Sequence, residues 1–161
     1  MTTLRIGYQV MGVVYCVVPL TLLLELHRHS GGRAILLLLV VIWATDTGAM
    51  LLGKWLGRRR FAVRISPGKT VAGFVGGLVL GSAAAVVSVG WTGLPWTGGE
   101  AVVAGLILSF VGQMGDLAES MFKREAGVKD SGRLIPGHGG LLDRLDSLLF
   151  ATPVFFVMIR Y

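Results

Sequence analysis

Residues 71–99 contain no Asp, Glu, Lys, Arg or His. A water-soluble helix keeps a polar face, so an uncharged stretch of this length is either buried on every side or placed in lipid. Composition decides between the two. Of the 161 residues, 53% are hydrophobic and only 15% are charged, against about 25% in soluble domains, and the mean hydropathy is +0.72. A chain of this size with so little charge is read as a membrane protein.

Crossing the hydrocarbon takes about 20 helical residues, and five stretches qualify: 6–24, 34–53, 70–90, 101–119 and 141–161. Pro19 lies inside the first, which membrane helices tolerate. The fourth runs into the polar sequence 115–119, and the fifth turns apolar only from Leu148. The predicted fold class is therefore all-α, a polytopic membrane helical bundle of about five transmembrane helices. No repeat, low-complexity tract or linker divides it, so residues 1–161 are read as a single domain. No small-x-small cleavage site follows the first apolar run before His27, and no cleavable signal peptide is expected. Cys16 has no second cysteine to pair with and reads as a packing residue.

The formal net charge is +6, from 15 Lys and Arg against 9 Asp and Glu, and the pI is about 10.1. With the amino terminus inside, 12 of the 15 basic residues fall at or near the cytoplasmic face, leaving only Arg28, Arg33 and Arg160 outside. The positive-inside rule favours that orientation. It predicts a multi-pass protein of the cell membrane, with the polar connections 54–70 and 116–146 together on the cytoplasmic side. The basic excess then points to an anionic phosphorylated or lipid partner, with no nucleic acid. The spacings Gly73-x3-Gly77-x3-Gly81 and Gly53-x3-Gly57 allow close helix approach, serving either packing within the bundle or a homodimer interface.

Ionisable residues at membrane depth are costly and are functional candidates by default. Asp116, Glu119, Ser120 and Lys123 share one face of the fourth helix, and Asp143, Asp146 and Ser147 one face of the fifth. Such a set of hard oxygen ligands suits Mg²⁺, which keeps some waters and completes its shell with substrate phosphates. The alternative is that Asp116 and Asp143 pair with Lys123, Arg124 or Arg144 as interfacial salt bridges. Between these faces lies a loop with Lys129, Arg133, His138 and the glycines 137, 139 and 140. Glycines admit close backbone approach, and amides preceding a helix make an anion site; the loop reads as a cradle for a metal-bound polyphosphate. In the other loop, Ser66, Lys69 and Thr70 stand just before a helix and can hold phosphate oxygens, or the segment is a positive-inside anchor with a Pro-Gly turn. Asp46, deep in the second span, needs a partner or a metal.

The stretch from Ser120 through Lys123-Arg124, Lys129-Asp130 and Pro136-Gly137-His138-Gly139-Gly140 to Asp143-Arg144-Leu145-Asp146 resembles the signature of the phosphatidate cytidylyltransferase family, the CDP-diacylglycerol synthases. Upstream, Gly115-Asp116, the segment Asp46 to Ala49, and Ile65-Ser66-Pro67-Gly68-Lys69-Thr70 are similar to family motifs in the same order. The resemblance covers about residues 35–160, with residues 34–161 carrying the motifs. Two departures stand out. Val71-Ala72-Gly73 occupies the place of a usual Trp-Glu-Gly, and family members are commonly longer, with more amino-terminal spans.

The resemblance implies a membrane enzyme, a nucleotidyltransferase of phospholipid biosynthesis that converts CTP and phosphatidic acid to CDP-diacylglycerol and pyrophosphate. It implies Mg²⁺, one ion or two, held by Asp116, Asp143 and Asp146, with Asp46 and Asp130 as further candidates. Lys123, Arg124, Lys129 and Arg144 would neutralise phosphates, and His138 would donate to a phosphate or act as an acid. Ser66, Lys69, Thr70, Ser120, Gly139 and Gly140 would bind substrate. The alternatives are a related CTP-dependent lipid kinase, a cation-coupled transporter, or a non-catalytic membrane scaffold. The four-aspartate pattern of the CDP-alcohol phosphotransferases is not found. A transporter would carry its carboxylates at mid-membrane, where only Asp46 is deep.

Overall fold

The computed structural model of the protein describes residues 2–128, 131, 132, 140 and 142–160, with the side chains of residues 2–5, 8 and 144 outside the description. Four helices carry the described chain: α1 (Thr2–Leu56), α2 (Val71–Thr92), α3 (Gly98–Glu125) and α4 (Leu142–Arg160). The all-α architecture agrees with the sequence reading. Among the described residues, three helices are long and apolar enough to cross a membrane: α1 over Gln9–Leu56, α2 and α3. The first two expected spans are thus one element, and α4, at 19 residues, does not join the three.

α1 is not straight. Its 55 helical residues are interrupted at Gly31, whose φ of 70° and ψ of 178° are non-helical and open to glycine without strain. A straight helix would hold Tyr15 and Ile42 about 40 Å apart. Instead both reach the same end of α4. The Tyr15 ring lies 5.6 Å from that of Phe150, and Ile42 packs 2.8 Å from where a Cβ on Gly112 would sit, with Ser147 beside it. The two arms of α1 therefore fold back on each other at Gly31. Leu37, Leu38 and Val41 of the second arm pack with Leu108, Ala151 and Phe155 in the fully buried core.

Small residues let α1 and α2 touch backbone to backbone. A Cβ on Gly48 would sit 2.5 Å from the Gly76 carbonyl, and one on Gly73 would sit 2.6 Å from the Ala49 carbonyl and 3.2 Å from Gly53 Cα. Further along α2, a Cβ on Gly77 would meet the Thr45 carbonyl and Gln113, and one on Gly81 would collide with Ser109 and Thr45. The glycines of the predicted spacings are used inside the bundle. Van der Waals contact of this kind is what drives helix association where lipid replaces water.

Helix ends are closed by local chemistry. Thr70 caps α2, its side chain accepting from the Gly73 amide at 3.1 Å, and Gly93 ends it in the left-handed conformation at φ 71°. A capping box opens α3: Thr97 accepts from the Glu100 amide, and the Glu100 carboxylate accepts from the Thr97 amide at 2.7 Å. The connection 57–70 is pinned across its base by an isolated bridge between Arg60 and Thr70, with the Val71 amide donating to the Arg59 carbonyl at 2.9 Å.

Candidate active site

The connection 57–70 leans onto the far end of α3. Arg124 Nε donates to the Ile65 carbonyl at 3.3 Å, and the Lys69 ammonium pairs with Asp116 at 2.7 Å. The connection 57–70 and the polar end of α3 therefore meet, joined by two cationic side chains. Between them opens a cavity of about 280 Å³, whose polar lining is Asp46, Lys69, Thr70, Gln113 and Asp116. Phe61 and Phe74 line it as well, their rings 5.7 Å apart in an edge contact. Thr70 reaches this position because Gly53 and Gly57 have no side chains; a Cβ on Gly57 would sit 2.7 Å from the Thr70 hydroxyl.

One to two turns further along the same face of α3 is a second polar cluster. Lys123 pairs with Glu119 and with Asp143, each at 2.7 Å, and so ties α3 to the first turn of α4. Glu119 is only 3% exposed, so its charge depends on that lysine. Asp143 gathers four further hydrogen bonds: the Ser131 amide to each of its oxygens at 3.0 and 3.3 Å, the Ser131 hydroxyl at 2.8 Å and the Gly140 amide at 2.7 Å. These donors favour its ionised form. Gly140 has to be glycine here, since a Cβ would collide with the Ser131 hydroxyl.

Of the sequence-derived site residues, Asp46, Lys69, Thr70 and Asp116 meet at the cavity, while Lys123, Asp143 and Gly140 meet in the second cluster. Ser120 joins the first group weakly, its hydroxyl 3.5 Å from Asp116. Ser66 lies in the connection, its amide donating to the Ala62 carbonyl and its carbonyl accepting from the Lys69 amide; it does not line the cavity. Asp146 is buried and accepts at 2.6 Å from the amide of Ser147. Lys129, Asp130, His138 and Gly139 lie outside the described residues, as does the Arg144 side chain. The salt-bridge alternative is met at Asp143 and Lys123, and Asp116 pairs with Lys69, a partner that alternative did not include.

Gln113, Phe61 and Phe74 were not among the residues singled out from sequence. Gln113 stands three positions before Asp116 and so on its face of α3, a lone amide in an otherwise apolar run. That spacing is the signal that finds it.

Among the described residues, no three His, Cys, Asp or Glu side chains converge closely enough to hold an ion. Asp46, Asp116 and Asp146 are still near enough for their charges to act on one another, with Lys69 among them. Against these three carboxylates, from three helix segments, stand Lys69 and Lys123, the latter already shared with Glu119 and Asp143, which leaves an excess of negative charge. A divalent cation that takes one or two carboxylates and completes its shell with water and phosphate fits such a donor set.

The sequence model of the Cytidylyltransferase family matches residues 1–161. Curated relatives include the phosphatidate cytidylyltransferase of Staphylococcus saprophyticus, 41% identical over 153 residues covering 95% of this chain and 58% of the relative. That of Staphylococcus aureus strain COL is 43% identical over 132 residues, covering 82% of this chain and 51% of the relative. The chain spans about half the length of the curated relatives it matches. A solved structure described as an intramembrane enzyme for archaeal membrane lipids biosynthesis superimposes with a TM-score of 0.59 at 25% identity, covering 79% of this chain and 78% of that one. Match over the full chain, agreement of fold and the paired polar connections lead to one conclusion: the protein belongs to the Cytidylyltransferase family.

Proposed function

We propose that the chain transfers the cytidylyl group of CTP to phosphatidic acid, giving CDP-diacylglycerol and pyrophosphate at the cytoplasmic face of the cell membrane. The observation that carries this reading is the convergence of the connection 57–70 and the polar end of α3 on one cavity, through Lys69–Asp116 and Arg124–Ile65. The named relatives supply the reaction class. In this reading the two arms of α1, together with α2, α3 and α4, make five passes, and the 12 basic residues of the polar connections and the amino terminus face the cytoplasm.

The attacking phosphate of phosphatidic acid is already an anion, so the protein needs no strong base. Its task is to bring two anions together and to stabilise charge on the departing pyrophosphate. Lys69 is placed to exchange Asp116 for a phosphate oxygen, and Thr70 offers a hydroxyl beside it. Lys123 and Arg124 supply positive charge from adjacent positions at the end of α3, joined by Lys129, Arg144 and His138 from the motif. Ser66, Ser120, Gly139 and Gly140 complete the substrate contacts. A magnesium ion, when bound, offsets phosphate charge; Asp46, Asp116 and Asp146 would hold it. Asp143 joins them only by releasing one of its present donors.

Pyrophosphate release from CTP, followed in detergent or liposomes with phosphatidic acid and Mg²⁺, tests the reading. Lipid-dependent pyrophosphate supports it, release of CDP with a phosphorylated lipid points to a kinase, and no turnover beside an active longer relative overturns it. Manganese binding followed by electron spin resonance gives a separate readout for the ion. Asp146→Asn is expected to weaken it about tenfold or more, and unchanged binding would remove Asp146 from the site.

A further inference from the structure

One wall of the cavity has a polar group that neither ion pairing nor phosphate binding uses. Gln113 is buried, at 6% exposure, and its amide nitrogen donates to two carbonyls, those of Phe74 at 3.3 Å and Ser109 at 3.4 Å. Carbonyls only accept, so the pair fixes which end of the amide is NH₂ and consumes both of its protons. The side-chain oxygen is left with its acceptor capacity, on a residue that lines the cavity. Among the described residues nothing donates to that oxygen. Beside it, Phe61 and Phe74 give the same cavity an aromatic wall, and aromatic rings are what a flat heterocycle stacks on. Lys69, Thr70 and Asp116 supply the charged and hydroxyl part of the same lining, one helical turn from Phe74 and Gln113.

We infer that the apolar part of this cavity takes the pyrimidine of the nucleotide, and that Gln113 is a specificity-determining residue whose side-chain oxygen accepts a hydrogen bond from the exocyclic amino group of cytosine. Uracil presents a carbonyl at that position, and two acceptors would face each other without a proton between them. A site built around a polar contact rejects the analogue lacking its partner far more strongly than an apolar pocket does. The inference deepens the reading of the chain as a CTP-dependent transferase and rests on it.

Competitive binding of CTP and UTP to the purified full chain in detergent, with Mg²⁺ present, separates the two. Wild type is expected to prefer CTP by about tenfold or more, the scale of one good base contact. Gln113→Met keeps the side-chain length without the oxygen and is expected to bring the CTP to UTP ratio close to one. Gln113→Asn, whose amide is shorter, is expected to do the same and serves if the methionine variant does not fold. A merely structural glutamine would lower affinity for both nucleotides and leave the ratio unchanged; that result in a folded variant overturns the assignment while the CTP reading stands. Failure of wild type to bind CTP at all overturns the parent reading and this inference with it.

Discussion

Asp143 shows how much a single carboxylate can do without a metal. It holds Lys123, Ser131 and Gly140 together, so Asp143→Asn is expected to loosen the start of α4 as well as to depress turnover. Faster hydrogen exchange of the Gly140 and Ser131 amides would register the loosening. Tyr15 is the opposite case. Its hydroxyl is buried with no hydrogen-bond partner among the described residues, which costs stability, so Tyr15→Phe is expected to leave the thermal midpoint in detergent unchanged or raise it. A drop of several degrees would show that the hydroxyl has a partner in solution. Candidate residues with charge were legible in the sequence because charge is expensive in a membrane. Gln113 was harder to see, since a neutral amide carries a smaller penalty and its use depends on which carbonyls lie opposite.

The helices themselves were legible, because apolar runs bounded by charge have no other stable form in lipid. The first two spans were expected on either side of residues 25–33; what the runs did not disclose is that this segment stays helical and breaks only at Gly31. The glycine seam was visible as spacing, but whether it closes the bundle or joins two copies depends on which helix lies opposite, and α1 does. Gly48→Ala is therefore expected to destabilise the protein by about 1–3 kcal/mol, as overpacking does. Gly90→Ala, on α2 with nothing within 4 Å of an added Cβ, is expected to stabilise it by about 0.5–1 kcal/mol. Thermal unfolding of the two variants side by side checks both signs.

At the scale of the molecule, polar work is concentrated at one end. Lys123 is the fastener there: Lys123→Met would leave Glu119 buried and unpaired, with an expected cost of about 3–5 kcal/mol, read as a lower unfolding midpoint and partly recovered by Glu119→Gln in the same chain. Orientation is tested by single cysteines in a Cys16→Ser background. A cysteine at Val63 is expected to react with an impermeant maleimide from the cytoplasmic side, and one at Gly99 from the opposite side; the reverse pattern would invert the proposed topology.

The fold-back at Gly31 also bears on biogenesis. Between the two apolar arms, the charged side chains are Glu25, Arg28 and Arg33, and Glu25 already contacts Arg28 at 3.9 Å and His29 at 2.9 Å. Whichever side receives it, the crest of this hairpin carries little uncompensated charge. The insertion machinery can thus hand both arms to the bilayer as one unit, ahead of the packing of α2 along the glycine seam.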